Sequence, residues 1–206
     1  MSMVFGHVLQ GAAYLAVDEC GASYDIKTGK KSISTQKIDK AIQLDNHTVL
    51  AAIGVTAFAE QVKNFAKGWW NEVNGDIKAF IKKIEVLCNL LKNNTPSRID
   101  EVLDTNSSGR IVIIIACYDT KRNKPVIYGI TDFDNYDLKS INEDGRTIAK
   151  SALPDPLMWQ IINGIKAPTI KQYVKALFMG CHALAPEISA THKLFRIDRK
   201  GVEEVC

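Results

Sequence analysis

The sequence predicts an α+β protein in which helices stack on β-sheets. Three observations carry that reading. Strand-rich residues 4–53 precede two consecutive amphipathic helices. Residues 111–118 form the most hydrophobic run of the chain, as expected of a fully buried strand. Strands followed by paired helices then recur, giving the order β-β-β-β-α-α-β-β-α-α-β-β. Without repeats, low-complexity tracts or linkers, residues 1–206 read as a single domain.

Each element has a local cause. Residues 4–17 are apolar and β-branched with Gln10-Gly11 in the middle, a hairpin of two strands. Residues 21–31 are polar and contain Gly29, which predicts a loop or irregular edge. Residues 38–44 and 48–53 form a second hairpin turning at Asp45-Asn46. Gly54 ends that strand and Thr56 is a helix N-cap. Phe58, Val62, Phe65, Ala66 and Trp69 then recur at helical spacing to about Trp70. A second helix over 76–91 has Ile77, Phe80, Ile81, Ile84, Leu87, Cys88 and Leu91 as its apolar face. Residues 93–110 are polar, with a short helix at 97–103. The buried strand turns at 119–124 and returns over 126–131, and acidic residues 132–147 make a surface excursion. Pro154 and Pro156 bracket the start of a helix over 157–164, and Pro168 or Thr169 opens another to Ala183. Residues 193–198 and 202–205 close the chain as a hairpin through Arg199-Lys200-Gly201.

Composition excludes several classes. The net charge of +3 is spread along the chain, and its densest basic stretch, 27–31, holds three lysines, too few for a nucleic-acid-binding arm. No segment has the apolar length of a membrane span, and the N-terminus lacks the pattern of a signal peptide. The five cysteines form no C-x-x-C pair and are odd in number, which points to free thiols in a reducing, cytoplasmic setting. His7, His47, His182 and His192 have no metal-ligand spacing, and no cofactor or metal is expected. Cys20 reads either as a reactive thiol or as a small structural residue. Trp69-Trp70 reads either as an exposed subunit contact or as a half-buried packing pair.

The chemistry concentrates at the start of the chain. Loss of Met1 would leave Ser2 with a free α-amino group, and an N-terminal hydroxyl residue can use its own amine as base. Such an amine, with an ordinary pKa of about 7.7–8.0, suits that task. Asp18, in Leu15-Ala16-Val17-Asp18-Glu19-Cys20, and Lys37, in Gln36-Lys37-Ile38, follow at spacings that two paired strands would bring together. A lysine beside Ser2 favours the neutral amine through like charge, and Asp18 would keep that lysine charged and oriented. A backbone N–H at Gly54 would stabilise a tetrahedral oxyanion. Each residue also has an ordinary reading: Ser2 a common second residue, Asp18 a turn residue, Lys37 a solvated edge lysine, Gly54 a helix-entry glycine.

Those segments, with Ala13-Tyr14-Leu15-Ala16-Val17-Asp18, Lys37-Ile38, Ala51-Ala52-Ile53-Gly54-Val55 and the hairpin 111–130, resemble the proteasome-type N-terminal nucleophile (Ntn) hydrolases, the proteasome β-subunits and their bacterial homologues. The resemblance covers nearly the whole chain and implies a four-layer α-β-β-α sandwich of the Ntn-hydrolase type. It also implies a peptidase or amidohydrolase that forms a homo-oligomeric ring and acts on peptides or unfolded proteins, with any ATPase partner unknown. The family's nucleophile stands sixteen residues before the acidic residue matched by Asp18, which lands on Ser2. Lys37 matches the family lysine, Gly54 the oxyanion glycine, and Gly21 and Ala52 the small residues bordering the side-chain pocket.

The chain also departs from the family. Serine replaces threonine as nucleophile and lacks the methyl group that fixes the hydroxyl rotamer. Ser151, in Ala149-Lys150-Ser151-Ala152, fills the place of a serine that is flanked by glycines in the family. The family's Asp-x-x-Ser-Gly loop is replaced by Ala185-Pro186-Glu187-Ile188-Ser189-Ala190, where Glu187 and Ser189 are the only candidates. Two alternatives therefore stand beside the peptidase: a catalytically silent structural or assembly subunit, and an amide-bond ligase or acyl transferase using the same nucleophile.

Overall fold

The computed structural model describes residues 2–24, 31–54, 56–94, 111–131 and 138–205. Its strands are β1 (Met3–Leu9), β2 (Ala12–Asp18), β3 (Cys20–Tyr24), β4 (Lys31–Lys37), β5 (Ala41–Asp45), β6 (Thr48–Gly54), β7 (Ile111–Asp119), β8 (Lys124–Thr131), β9 (Lys139–Ile141), β10 (Thr147–Ser151), β11 (His192–Asp198) and β12 (Gly201–Glu204). Its helices are α1 (Thr56–Glu72), α2 (Ile77–Asn94), α3 (Asp155–Gly164) and α4 (Ile170–Leu184). The helix expected at 97–103 lies outside the described residues.

The expected four-layer α-β-β-α sandwich of the Ntn-hydrolase type is corrected here. Among the described residues the protein is mixed α/β and strand-dominated, 41% strand against 34% helix, with four helices set on antiparallel sheets. One five-stranded sheet runs β10-β1-β2-β11-β12, the other β5-β6-β7-β8-β9, and β3-β4 form a separate two-stranded ribbon. Four of these strands escape the sequence reading: β3 and β9 lie where it gives a loop and a surface excursion, and β4 and β10 lie almost wholly where it assigns no element. None presents an apolar alternation. They form because main-chain groups beside a sheet edge or a partner strand need hydrogen bonds, a demand that hydrophobic periodicity does not record.

Elsewhere the local signals translate directly. Gln10 and Gly11 take φ of +51° and +73°, the two-residue turn that pairs Leu9 with Ala12. In the β5–β6 hairpin Asp45 Oδ1 accepts the His47 N–H at 2.7 Å. The Thr169 hydroxyl caps α4 by accepting the Gln172 N–H at 3.2 Å.

Burial follows the sheets' two faces. Val4, Leu15, Ile114 and Ile127 belong to one buried apolar cluster shared by the two five-stranded sheets. On the other face of the first sheet, Met3 and Phe5 pack with Met158, Leu177 and Phe178 of α3 and α4. Leu50, Ile113 and Ile115 pack with Val62, Phe80 and Ile84 of α1 and α2. Trp70 is part of that last cluster. Its ring meets Phe80 edge-on at 5.2 Å and its Nε1 donates to Asp45 Oδ2 at 3.0 Å. Trp70 is therefore a packing residue, while Trp69 stacks on the half-exposed Phe65 at 5.4 Å.

Candidate active site

β2 carries the central acid. The first sheet covers this strand on both sides, β1 on one and β11 on the other, so every residue from Ala12 to Asp18 is buried. Asp18, the last of them, is 0% exposed. A carboxylate there needs a full set of donors. Its Oδ1 accepts the Met3 N–H at 2.8 Å and its Oδ2 the Ser189 N–H at 3.3 Å. The counter-charge is Lys40, with Nζ 2.8 Å from Asp18 Oδ1 and only 6% of the side chain exposed.

The lysine beside Asp18 is therefore not the one expected. Lys37, at the end of β4, is 71% exposed and pairs with Glu19 at 3.0 Å. The correction from Lys37 to Lys40 has a structural cause. The β3–β4 ribbon interposes between β2 and β5, so spacing counted along the chain falls short of the residue that turns inward. Ile38, Asp39 and Lys40 then cross from the ribbon to β5. The Ile38 N–H donates to the Glu19 carbonyl at 2.8 Å, and the Lys40 carbonyl accepts the Ala52 N–H at 3.0 Å. Lys40 Nζ also donates to the Cys20 carbonyl.

Burial pushes the Lys40 ammonium below the ordinary lysine value, and the Asp18 charge and hydrogen bond oppose that shift. Burial likewise pushes the Asp18 carboxyl upward, against Lys40 and the two backbone donors.

Lys40 faces a small cavity of about 30 Å³, room for about two waters. Ser2, Gly21, Ala52 and Gly54 line it with Lys40, and α1 contributes Ala59, Glu60 and Lys63. Ser2 directly precedes β1 and is partly buried. Gly54, at the end of β6, has φ +125°, a backbone conformation that favours glycine. Gly21 is buried, and a Cβ there would collide with Ile38 Cδ1. Ala52 is 1% exposed and helps fix the Lys40 main chain. The structure thus brings Ser2, Asp18, Gly21, Ala52 and Gly54 to one place, with Lys40 for Lys37.

Ser151 is not among the cavity residues. It ends β10 opposite Met3, and its Oγ accepts the Leu153 N–H at 3.1 Å. Ser189 is the more telling serine. It is 8% exposed, holds Asp18 through its N–H, and its Oγ lies 2.7 Å from Thr191 Oγ1. Glu187 is half-buried two residues before it.

Sequence reasoning missed Lys40 and Lys63. The signal that would have found Lys40 is its place among Ile38, Ala41 and Ile42 ahead of a strand, where a solvated lysine is out of keeping. Lys63 carries no such signal.

Among the described residues no group of His, Cys, Asp and Glu could hold a metal ion, and Cys20, Cys88, Cys117 and Cys181 are in no disulfide. Burial raises the Cys117 thiol to about 12 and the Cys181 thiol to about 11, far from reactive. Among the described residues no helix is long and apolar enough to cross a membrane. No protein-family model matches the chain, and no curated protein matches it.

Proposed function

We propose that this protein is a peptidase or amidohydrolase whose nucleophile is Ser2, exposed as the N-terminal residue by loss of Met1. One observation carries the reading: Ser2 and Lys40, itself paired with the buried Asp18, line one cavity beside a glycine at positive φ. A serine hydroxyl is a weak nucleophile at neutral pH, and it is activated by a nearby base and a charged donor.

In this mechanism the neutral α-amine of Ser2 takes the Oγ proton as Oγ bonds to the substrate's carbonyl carbon. Lys40 donates toward Oγ and, as a like charge, keeps the α-amine unprotonated. Asp18 holds the Lys40 ammonium in place, and its contact with the Met3 N–H fixes the backbone next to the nucleophile. The Gly54 N–H receives the negative charge that develops on the carbonyl oxygen, a contribution of about 3 kcal/mol. The C–N bond breaks as the α-ammonium returns its proton to the leaving amine. Water then attacks the Ser2 ester and frees the carboxylate. Gly21 and Ala52 are the small residues that border the cavity, with Ile38 packed against Gly21. A homo-oligomeric ring belongs to the same reading as the device that restricts access to peptides and unfolded chains.

The test is Ser2→Ala in the full chain. Hydrolysis of a peptide amide should fall to background with folding unchanged, and retained turnover removes Ser2 from the mechanism.

The small size of the cavity, about 30 Å³, favours a second reading, a catalytically silent assembly subunit. Acylation of Ser2 by a β-lactone separates the two. An acyl transferase differs from both in passing that acyl group to an added amine faster than to water.

A further inference from the structure

The cavity holds a second lysine that the mechanism does not use. Lys63, on the second turn of α1, is 12% exposed along its side chain and lines the cavity with Lys40. Its Nζ lies 2.7 Å from Glu60 Oε1, one turn back on the helix, and donates to the carbonyl of Asp39. Asp39 is the residue immediately before Lys40. On the other side, Asp39 Oδ1 is paired with Lys193 of β11 at 3.0 Å.

The three residues 38–40 belong to neither β4 nor β5. They lack the repeating ladder that fixes a strand, and their conformation rests on four separate contacts. Glu19 holds the Ile38 N–H, Ala52 holds the Lys40 carbonyl, and Lys63 and Lys193 grip Asp39 at its carbonyl and carboxylate. Of these, only Lys63 also presents charge to the cavity.

Resting on the Lys40–Asp18 reading above, we propose that Lys63 is a positioning residue for Lys40: it anchors the carbonyl of Asp39 and faces the Lys40 ammonium with a like charge. Removing it frees the crossing segment on its α1 side and takes away the side-chain cation that faces Lys40. The groups facing Lys40 are Asp18 from β2, Cys20 from β3 and the Glu60–Lys63 pair from α1, together with the Ser2 amine once Met1 is lost. Lys63 is the cation among the side chains, and its charge lowers the Lys40 proton affinity. Lys63→Met therefore raises the Lys40 titration midpoint.

The experiment follows the Lys40 side-chain resonance in full-length protein carrying ε-¹³C lysine, titrated in wild type, Lys63→Met and Lys63→Arg. Lys63→Met should raise the midpoint by about half a pH unit or more and lower kcat about tenfold with KM little changed. Lys63→Arg, which keeps the charge and a donor for Asp39, should stay close to wild type in both. An unmoved Lys40 midpoint in Lys63→Met overturns the proposal even where turnover falls, because lost turnover alone is what a merely structural lysine gives. If wild type hydrolyses nothing, the Ser2 reading fails while the midpoint still decides the role of Lys63. If Lys63→Met does not fold, Lys63→Gln, which keeps a donor for the Asp39 carbonyl, gives the same readout.

Discussion

At the residue scale the site reduces to a buried charge pair and the groups that make its burial tolerable. Taking one ion from water costs several kcal/mol, and each partner here offsets that cost only while the other is present. Lys40→Met leaves Asp18 charged at 0% exposure with two backbone donors. It should cost about 3–5 kcal/mol of stability and abolish turnover, as read by chemical denaturation and by peptide hydrolysis. Lys37→Met removes an exposed lysine that pairs with the largely buried Glu19, away from the cavity, and should leave turnover nearly unchanged. Equal effects of the two substitutions would mean that Lys40 has no special role. The sequence makes Asp18 and Ser2 legible because both sit at a strand end or chain start. It misassigns the lysine because the side chain that matters is set by where the chain turns inward after the ribbon, a tertiary fact.

At the element scale, hairpins with strong turn residues are read correctly, and strands held mainly by main-chain pairing are not. Gln10-Gly11 and Arg199-Lys200-Gly201 announce their turns. β10 is invisible in the sequence because it is a five-residue edge strand with only Ala149 buried. Its register nonetheless sets Ser151 opposite Met3 and so frames the start of β1. Gly54 ends β6 at φ +125°, and Gly54→Ala should cost about 1–3 kcal/mol in a urea melt, with turnover reduced because the same peptide borders the cavity. An unchanged melt would mean that the strand end relaxes without strain.

The first sheet also carries two histidines that set its pH response. Burial lowers His7 on β1 and His192 on β11 below the ordinary value of 6.5. The unfolded chain therefore binds these protons more readily than the folded one. Their contribution to stability is full above pH 6.5 and is lost as pH falls through the lowered folded values. The thermal midpoint should fall on acidification from about pH 7 to about pH 5. His192→Phe, which keeps a ring against Phe178, should shrink that fall. A melt whose acid dependence is the same in the variant would assign the effect to other groups.

At the scale of the whole molecule, two antiparallel sheets place the N-terminal strand in the interior of one and the Gly54 strand in the interior of the other. Their shared apolar cluster fixes the two with respect to each other. That arrangement brings residues from positions 2, 18, 40, 54 and 189 together, which no local pattern predicts. The ring assembly belonging to the proposed function should appear in light scattering as a particle several times the 22.8 kDa chain, whereas a monomer at that mass would remove the ring from the account.

The central claim is that Ser2 is a working nucleophile beside Lys40. The most direct test is intact mass spectrometry of the full-length, untagged protein before and after exposure to a β-lactone. The account predicts loss of Met1 and one covalent adduct that is absent in Ser2→Ala and strongly reduced in Lys40→Arg. Retention of Met1 with no adduct would contradict it.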